Sequence, residues 1–209
     1  MTFEECNTMR NNFISEFWNY YLILESDCVN LRRYIAFRTE NLQVCSDEII
    51  RQFVSTSAEF DTVSRKITGT TSNRATISNY ARWFLDPSNI DDIRDVKISI
   101  RSTGLVLKPF ESWSNSRPGQ LFWWKSYNKV KHDRYSNYAD GSLSNLLNAL
   151  GALYFIESFE FRRIAQPFVD DEEKPVVDVP TCRSQLFDLN NFVTNFNVFG
   201  PELYGKVSD

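Results

Sequence analysis

The residues best suited to chemistry in this sequence lie between Trp123 and Arg134. This segment contains His132, which is the only histidine in the chain. It also carries four basic residues against a single acid, Asp133; the basic residues are Lys125, Lys129, Lys131 and Arg134. Histidine can give or take a proton near neutral pH, and lysine and arginine bind phosphate groups. If the chain has a chemical site, these residues place it here and indicate acid–base chemistry on a substrate that contains phosphate. The alternative is a histidine that caps a helix beside a solvated basic turn.

Helical spacing would gather part of this segment on one face. In a helix from about Leu121 to His132, successive residues are turned by about 100°. That rotation places Lys125, Asn128 and His132 in one sector. The opposite side carries Trp123, Tyr127 and Val130. Asn128 and His132 are four residues apart, so their side chains can meet. The pattern predicts a buried apolar face and an exposed polar face.

The composition is that of a folded chain with a neutral body and an acidic end. Among the 209 residues are 17 Phe, 9 Tyr and 5 Trp, enough to build a substantial core. The net charge is −4, of which the stretch from Phe168 to Asp209 carries −5. A near-neutral body argues against a dedicated duplex-DNA-binding protein, which usually has a broad basic face.

Several kinds of site and location are disfavoured by what the sequence lacks. It has no run of eighteen apolar residues, and its first residues do not resemble a signal peptide. The four cysteines are scattered without a CxxC pair, and no glycine-rich phosphate-binding motif is present. We therefore expect a cytoplasmic protein with reduced thiols, without a membrane span, a metal site or a cofactor.

Two amphipathic helices are predicted in the first third of the chain. Apolar residues recur at intervals of three and four between about Asn12 and Phe37, which is typical of a helix with one buried face. Ser46 is a good N-cap for a second helix that ends near Gly69. On that helix Asp61 and Arg65 are one turn apart, and we interpret them as a local ion pair rather than as a catalytic acid and its partner.

The middle of the chain changes its period. A short third helix is expected after a cap at Ser72 or Asn73, closed by Asp86-Pro87. The residues from Val96 to Ile100 then alternate between apolar and polar, as in a half-buried strand. A turn and a second apolar run that ends at Leu107 follow. These features predict one β-hairpin inserted in a helical protein.

A long apolar helix is predicted after the basic segment. It begins at Asp140 or Ser142 and ends near Gln166, and its apolar residues on more than one side indicate a central position. The acidic, proline-containing stretch beyond it is interpreted as a linker in an irregular extension. The segment from Gln185 to Phe199 has no clean period, and its interpretation is open between a short helix and a short strand packed on the bundle. We therefore expect a helical domain over residues 1–167, with the hairpin near 96–107, and an acidic C-terminal extension over residues 168–209.

The order of these elements resembles the HEPN superfamily of helical, nucleotide- and RNA-associated domains. Its members are bundles of four or five helices in which an arginine, four to six further residues and a histidine precede the last long helix. Asn128 and His132 match the polar residue and the histidine of that signature. The segment 123–134 is also similar to a group of uncharacterised bacterial proteins that carry the pattern WWxxYNxxKHxR.

The resemblance implies a mainly helical fold and a metal-independent ribonuclease that works as a homodimer, in a stress or phage-defence role. It implies that His132 is the acid and base and that Asn128 orients it or the scissile phosphate. The family's arginine falls at Tyr127, which is not cationic, and Lys125 would have to supply that charge. The alternative is a non-catalytic HEPN-like module that binds RNA, a nucleotide or a protein partner.

Five further residues are candidates for contact with RNA. Phosphate would be bound by Lys129, Lys131 and Arg134. Unpaired bases could stack on Trp124 or Tyr135.

Overall fold

A computed structural model describes residues 3–72, 75–165 and 184–190. The expectations for the linker and for most of the acidic extension lie outside the described residues. Within them, no helix is long and apolar enough to cross a membrane. Three of the four cysteines are described as free thiols, namely Cys6, Cys28 and Cys45.

The described residues are mainly helical, as the sequence predicted. Helix α1 (Phe3–Phe13) continues through a π-helical turn (Ile14–Trp18) into α2 (Asn19–Leu31). The remaining helices are α3 (Asp47–Thr68), α4 (Ile77–Phe84), α5 (Phe122–His132) and α6 (Leu143–Ala165). Short 3₁₀ turns in the connections span Thr39–Asn41, Ile93–Asp95 and Tyr138–Asp140.

The first helix begins and ends earlier than the expected 12–37. Residues of the predicted stripe are buried as far as Leu31, but the chain then leaves the helix. The earlier start has a packing reason, because Cys6 is buried and its thiol donates to the carbonyl oxygen of Ile164 at 3.3 Å. The π-helical turn makes one turn of this helix wider, which a constant 3.6-residue period does not anticipate.

Helix α3 has the bounds that its caps predicted. The Ser46 hydroxyl accepts a hydrogen bond from the backbone N–H of Ile49 at 3.1 Å, and Gly69 ends the helix with a positive φ of 63°. The predicted ion pair is confirmed, with Arg65 Nε 2.8 Å from Asp61 Oδ2. The prediction for the start of α4 was wrong: its N-cap is Thr76, which forms a reciprocal capping box with Asn79.

The predicted hairpin is confirmed, but it belongs to a larger sheet. Strands β1 (Lys97–Ile100) and β2 (Val106–Leu107) pair antiparallel. A third strand, β3 (Phe187–Asn190), pairs antiparallel with the other edge of β1. The extension is therefore not irregular throughout. Of the two structures left open for the segment from Gln185 to Phe199, a short strand forms at residues 187–190 and completes a sheet of order β2-β1-β3.

A buried carboxylate fastens β3 to the helices. Glu25 on α2 accepts hydrogen bonds from the Tyr21 hydroxyl at 2.7 Å, and from the backbone N–H groups of Gln185 and Leu186 at 2.9 and 3.2 Å. The Ser184 hydroxyl also donates to it. Several donors on one carboxylate compensate for its burial, so Glu25 ties the start of β3 to α2.

Four helix ends meet at one end of the bundle. Helices α3 and α6 begin side by side, because the backbone N–H of Leu143 donates to Val44 at 2.9 Å and that of Ser144 to Leu42 at 2.8 Å. Helices α2 and α5 end there. Helix α2 runs back along α3, with Asp27 and Arg51 joined at 2.8 Å. The predicted site on α5 therefore lies where two helices begin and two end.

Candidate functional site

One face of α5 is held in the core by its aromatic residues. The indole N–H of Trp123 donates to the carbonyl oxygen of Pro109 at 2.9 Å, and its ring meets Phe60 edge-on at 5.0 Å. Tyr127 packs on Phe53 and Trp124 from the same side of the helix. This packing fixes the rotation of α5 about its axis, so the opposite face is directed away from the core.

The opposite face presents the three residues that the sequence placed together. His132 and Lys125 are exposed and Asn128 is half-buried, and all three lie on α5 in one sector of a helix. Within the described part of the chain, none of their side chains forms a hydrogen bond or an ion pair. The imidazole therefore lies at the end of the helix without a partner among the described residues.

A turn held by hydrogen bonds follows the histidine. Asp133 leaves the helical conformation, with φ −150° and ψ 82°, and its backbone N–H donates to Lys129 at 2.9 Å. Its carboxylate accepts from the backbone N–H of Ser136 at 3.1 Å, and hydrogen bonds from Ser136 hold the pKa of this carboxyl below its usual value. The Asn137 amide donates to the Asp133 carbonyl at 2.8 Å. Helix α5 therefore has a defined end at His132.

Asp140 neutralises one of the predicted phosphate-binding cations. Its carboxylate lies 3.0 Å from Lys129 Nζ and accepts a hydrogen bond from the Ser126 hydroxyl at 2.9 Å. The carbonyl oxygen of Asp140 also accepts from the Asn145 amide at 2.8 Å, which fixes the residue beside α6. Lys129 is thus part of a contact that joins α5 to the turn before α6, and an anion would have to compete for it.

The other two predicted phosphate-binding cations have weaker contacts. The Lys131 ammonium stands over the ring of Tyr127 at 5.4 Å, a cation–π geometry. Arg134 is 4.0 Å from Asp47, and both side chains are largely exposed, so this pair contributes little to stability. Together with Lys125, they leave positive charge accessible around His132.

The two predicted stacking residues have opposite environments. Trp124 is only 6% exposed and packs against Phe60 and Tyr127, so its ring faces the core and is not available to a base. Tyr135 is 95% exposed. The difference follows from the helix, because Trp124 lies on the apolar side of α5, whereas Tyr135 follows the turn at Asp133.

Tyr127, which the resemblance to HEPN domains aligns with their arginine, is part of the core. Its ring is buried between Phe53 and Trp124, so the position cannot contribute a charge. The site can bind an anion and move a proton through one imidazole. Among the described residues, no group of three or more His, Cys, Asp or Glu side chains is placed to hold a metal ion.

Two features of the structure were not predicted from the sequence, namely Asp140 as a partner of the site and Glu157 as a buried acid. From the sequence, Asp140 is only a possible helix cap. It lies eleven residues after Lys129, a separation that does not indicate a contact. Glu157 on α6 is fully buried, and neither of its carboxylate oxygens has a hydrogen-bond partner among the described residues. In a helix that is apolar on several sides, a single Glu gives no signal of its depth.

Comparison of the chain with protein-family models, with curated proteins and with solved structures found no match.

Proposed function

We propose that this protein is a metal-independent, HEPN-like ribonuclease in which His132 is the acid–base residue, acting as a stress or phage-defence effector. The observation that carries the proposal is the exposed imidazole at the end of α5, which has no partner in the described part of the chain and shares one face with Lys125 and Asn128. Histidine side chains titrate near neutral pH and suit both proton donation and proton removal.

The reaction would proceed by attack of the 2′-hydroxyl on the neighbouring phosphorus. A base takes the 2′-hydroxyl proton as the new O–P bond forms. The bond from phosphorus to the 5′-oxygen breaks, and that oxygen takes a proton from an acid. The products are a 2′,3′-cyclic phosphate and a 5′-hydroxyl. Lys125 and Lys131 would stabilise the charge that develops on phosphorus-bound oxygens, and Asn128 would orient the imidazole or the phosphate.

One histidine per chain cannot easily be acid and base in the same step. A two-fold homodimer with α5 near its interface would bring a second His132 to the same groove. This homodimer is part of the proposal. Sedimentation of the purified protein at micromolar concentration measures its oligomeric state.

A second candidate is a non-catalytic HEPN-like module that binds RNA, a nucleotide or a protein partner. The observation that favours it is the burial of Tyr127 at the position of the family's arginine. The ammonium of Lys131 contacts the Tyr127 ring, but it does so from outside the core. Such a module would keep the basic face of α5 without the charge that the family uses in cleavage.

The ends of the RNA products test the first proposal. Purified protein is incubated with total RNA and a chelator between pH 5.5 and 8, the range in which histidine side chains titrate. We expect fragments with 2′,3′-cyclic phosphate and 5′-hydroxyl ends, and a dimer in sedimentation. Intact RNA across this range, or fragments with 5′-phosphate ends, would remove the ribonuclease proposal and leave the binding module.

Asp140→Asn should strengthen RNA binding. The change removes a negative charge and releases Lys129, so one more cation can contact phosphate. The slope of log affinity against log salt should steepen by about 0.7 for single-stranded RNA. Stability should fall by no more than about 1 kcal/mol, because the pair is partly exposed.

The matched control for this variant is Glu111→Gln. It breaks a comparable exposed pair, Lys108 Nζ to Glu111 at 3.3 Å, near the start of α5 rather than at His132. An equal gain in affinity from Glu111→Gln would mean that overall charge, and not the release of Lys129, is responsible.

A further inference from the structure

Two tyrosines project from the end of the bundle that carries His132. Tyr34, in the loop after α2, is 84% exposed, and Tyr135, after α5, is 95% exposed. The next most exposed large hydrophobic side chain among the described residues is Ile23, at 59%. Most other aromatic rings of the described chain are buried. A role in core packing therefore does not explain why these two positions carry aromatic rings.

The two tyrosines lie at the same end of the bundle. Helix α2 is held against α3 by Arg51 and by the Gln52 amide, which donates to the Asp27 carbonyl at 3.2 Å. Helix α5 packs on another side of α3, where Phe53 meets Tyr127. Neighbouring helix axes lie about 8–10 Å apart, so the ends of α2 and α5 are within about 20 Å of each other.

Three acids at this end of the bundle contact cations. Arg51 pairs with Asp27 at 2.8 Å and with Glu48 at 2.6 Å. Hydrogen bonds from Arg51 and Gln52 lower the pKa of Glu48 to about 2. Asp140 is occupied by Lys129. Arg51 thus offsets part of the charge of two carboxylates and Lys129 offsets that of a third, which reduces the repulsion of an anionic ligand.

Beside Tyr34, by contrast, the cations are not matched by acids. Arg33 and Arg38 are exposed, and within the described residues neither forms an ion pair. The guanidinium of Arg32 lies over the ring of Phe37 at 5.8 Å. Cations after a helix also stabilise its C-terminus, and this accounts for Arg32 and Arg33. It does not account for Tyr34, nor for Arg38, which lies beyond the last turn.

We propose that Arg33, Tyr34 and Arg38, here called the α2-end surface, bind single-stranded RNA whose scissile phosphate lies at His132. This inference rests on the proposed RNA site of α5 and extends it. Tyr34 stacks on an unpaired base, and the two arginines contact phosphates several nucleotides from His132. A duplex does not present its base faces to such a ring.

The surroundings of Tyr34 favour RNA over a protein partner. Protein-binding surfaces usually contain a contiguous apolar patch. The exposed neighbours here are Arg32, Arg33, Ala36, Arg38, Thr39 and Glu40. A single ring between unpaired cations is instead typical of surfaces that follow the backbone of a single strand and stack its bases.

The length of the RNA tests this inference. Binding is measured with labelled single strands of about four and about twelve nucleotides, using protein that carries His132→Ala so that the RNA stays intact. Tyr34→Ala should weaken binding of the longer strand about five-fold or more, as expected for one lost stacking contact. Binding of the shorter strand, which reaches only the α5 side, should not change.

Two matched variants control for the loss of a ring and of a charge. Tyr20→Ala removes a 41% exposed ring from the body of α2, and Lys66→Ala removes an exposed cation at the far end of α3. Neither variant should change the affinity for the longer strand relative to the affinity for the shorter one. Arg33→Ala with Arg38→Ala should weaken binding of the longer strand and reduce its salt dependence.

The outcomes distinguish this inference from the proposed function. If Tyr34→Ala leaves the binding of both strands unchanged while wild-type protein still cleaves RNA, the α2-end surface is overturned and the ribonuclease stands. If wild type does not cleave but Tyr34→Ala weakens binding of the longer strand only, the α2-end surface is supported as part of a non-catalytic binding module. Equal affinity for duplex RNA, or an effect of Tyr34→Ala only on a protein partner, would overturn single-strand binding.

Discussion

Replacing His132 with alanine should reduce RNA cleavage by at least about 100-fold while leaving RNA affinity nearly unchanged. General acid–base catalysis by a positioned side chain contributes on the order of 10²–10⁴ in rate, and the variant has no second histidine to substitute. A neutral imidazole adds little to phosphate binding, which depends on cations. Because His132 is exposed and contacts no partner within residues 3–72, 75–165 and 184–190, its removal should not disturb the fold.

The matched variant is Lys125→Ala combined with Lys129→Ala. It removes two cations from the same helix, so it should weaken both RNA binding and cleavage. The informative comparison is therefore the ratio of cleavage to binding: His132→Ala lowers it, and the double lysine variant does so less. Cleavage that survives in His132→Ala would exclude the histidine as the catalyst and point to the binding module.

The parts of the fold that the sequence predicted depend on local signals. Helix α3 has a serine cap at its start, a glycine at its end and a regular apolar stripe, and all three coincide in the structure. The exposed face of α5 was predicted for the same reason, because eleven residues of regular helix fix which side chains share a sector. Where local chemistry and packing agree, the spacing of residues is sufficient.

The parts that the sequence did not predict depend on contacts between distant residues. Strand β3 is short, and it forms because β1 has an open edge and Glu25 captures the backbone before it. The contact of Asp140 with Lys129 joins residues that no helical spacing relates. The turn at Asp133 likewise decides that Tyr135 is exposed, whereas Trp124 is buried on the apolar side of α5.

Glu157 is the buried acid for which local sequence gave no warning, and it should make the protein less stable as the pH rises. Its carboxyl is fully buried on α6 without a hydrogen-bond partner among the described residues. Burial raises its pKa well above the usual value, and Glu59 on α3 raises it further. Burial also raises the pKa of Glu59. The folded protein therefore holds a proton that the unfolded chain releases.

The sign of the pH effect follows from this difference in proton binding. Below the ordinary pKa of a glutamic acid the group is protonated in both states, and it does not oppose folding through charge. As the pH rises above that value, only the folded state keeps the proton. The free energy of unfolding then falls by up to about 1.4 kcal/mol per pH unit until the raised pKa of the folded state is reached.

Glu157→Gln should abolish this loss. Glutamine keeps the size of the side chain but cannot ionise, so the variant should match wild type near pH 4.5 and become progressively more stable than wild type toward pH 8. Urea unfolding of both proteins at a series of pH values measures the difference, in which the titration of all other groups largely cancels. Glu157→Leu should be more stable than wild type even at low pH, because it also removes the unpartnered polar atoms.

The control is Glu160→Gln, one turn further along α6. Glu160 is also buried, but its carboxylate is 2.7 Å from Arg163 Nε, so its burial is compensated. Neutralising it should leave the arginine without its partner and lower stability. If the free energy of unfolding of Glu157→Gln equals that of wild type at every pH, Glu157 is ionised in the folded protein and must have a compensating cation or water. If both variants gain stability equally, burial of negative charge on α6 is unfavourable in general, and the specific effect of Glu157 is excluded.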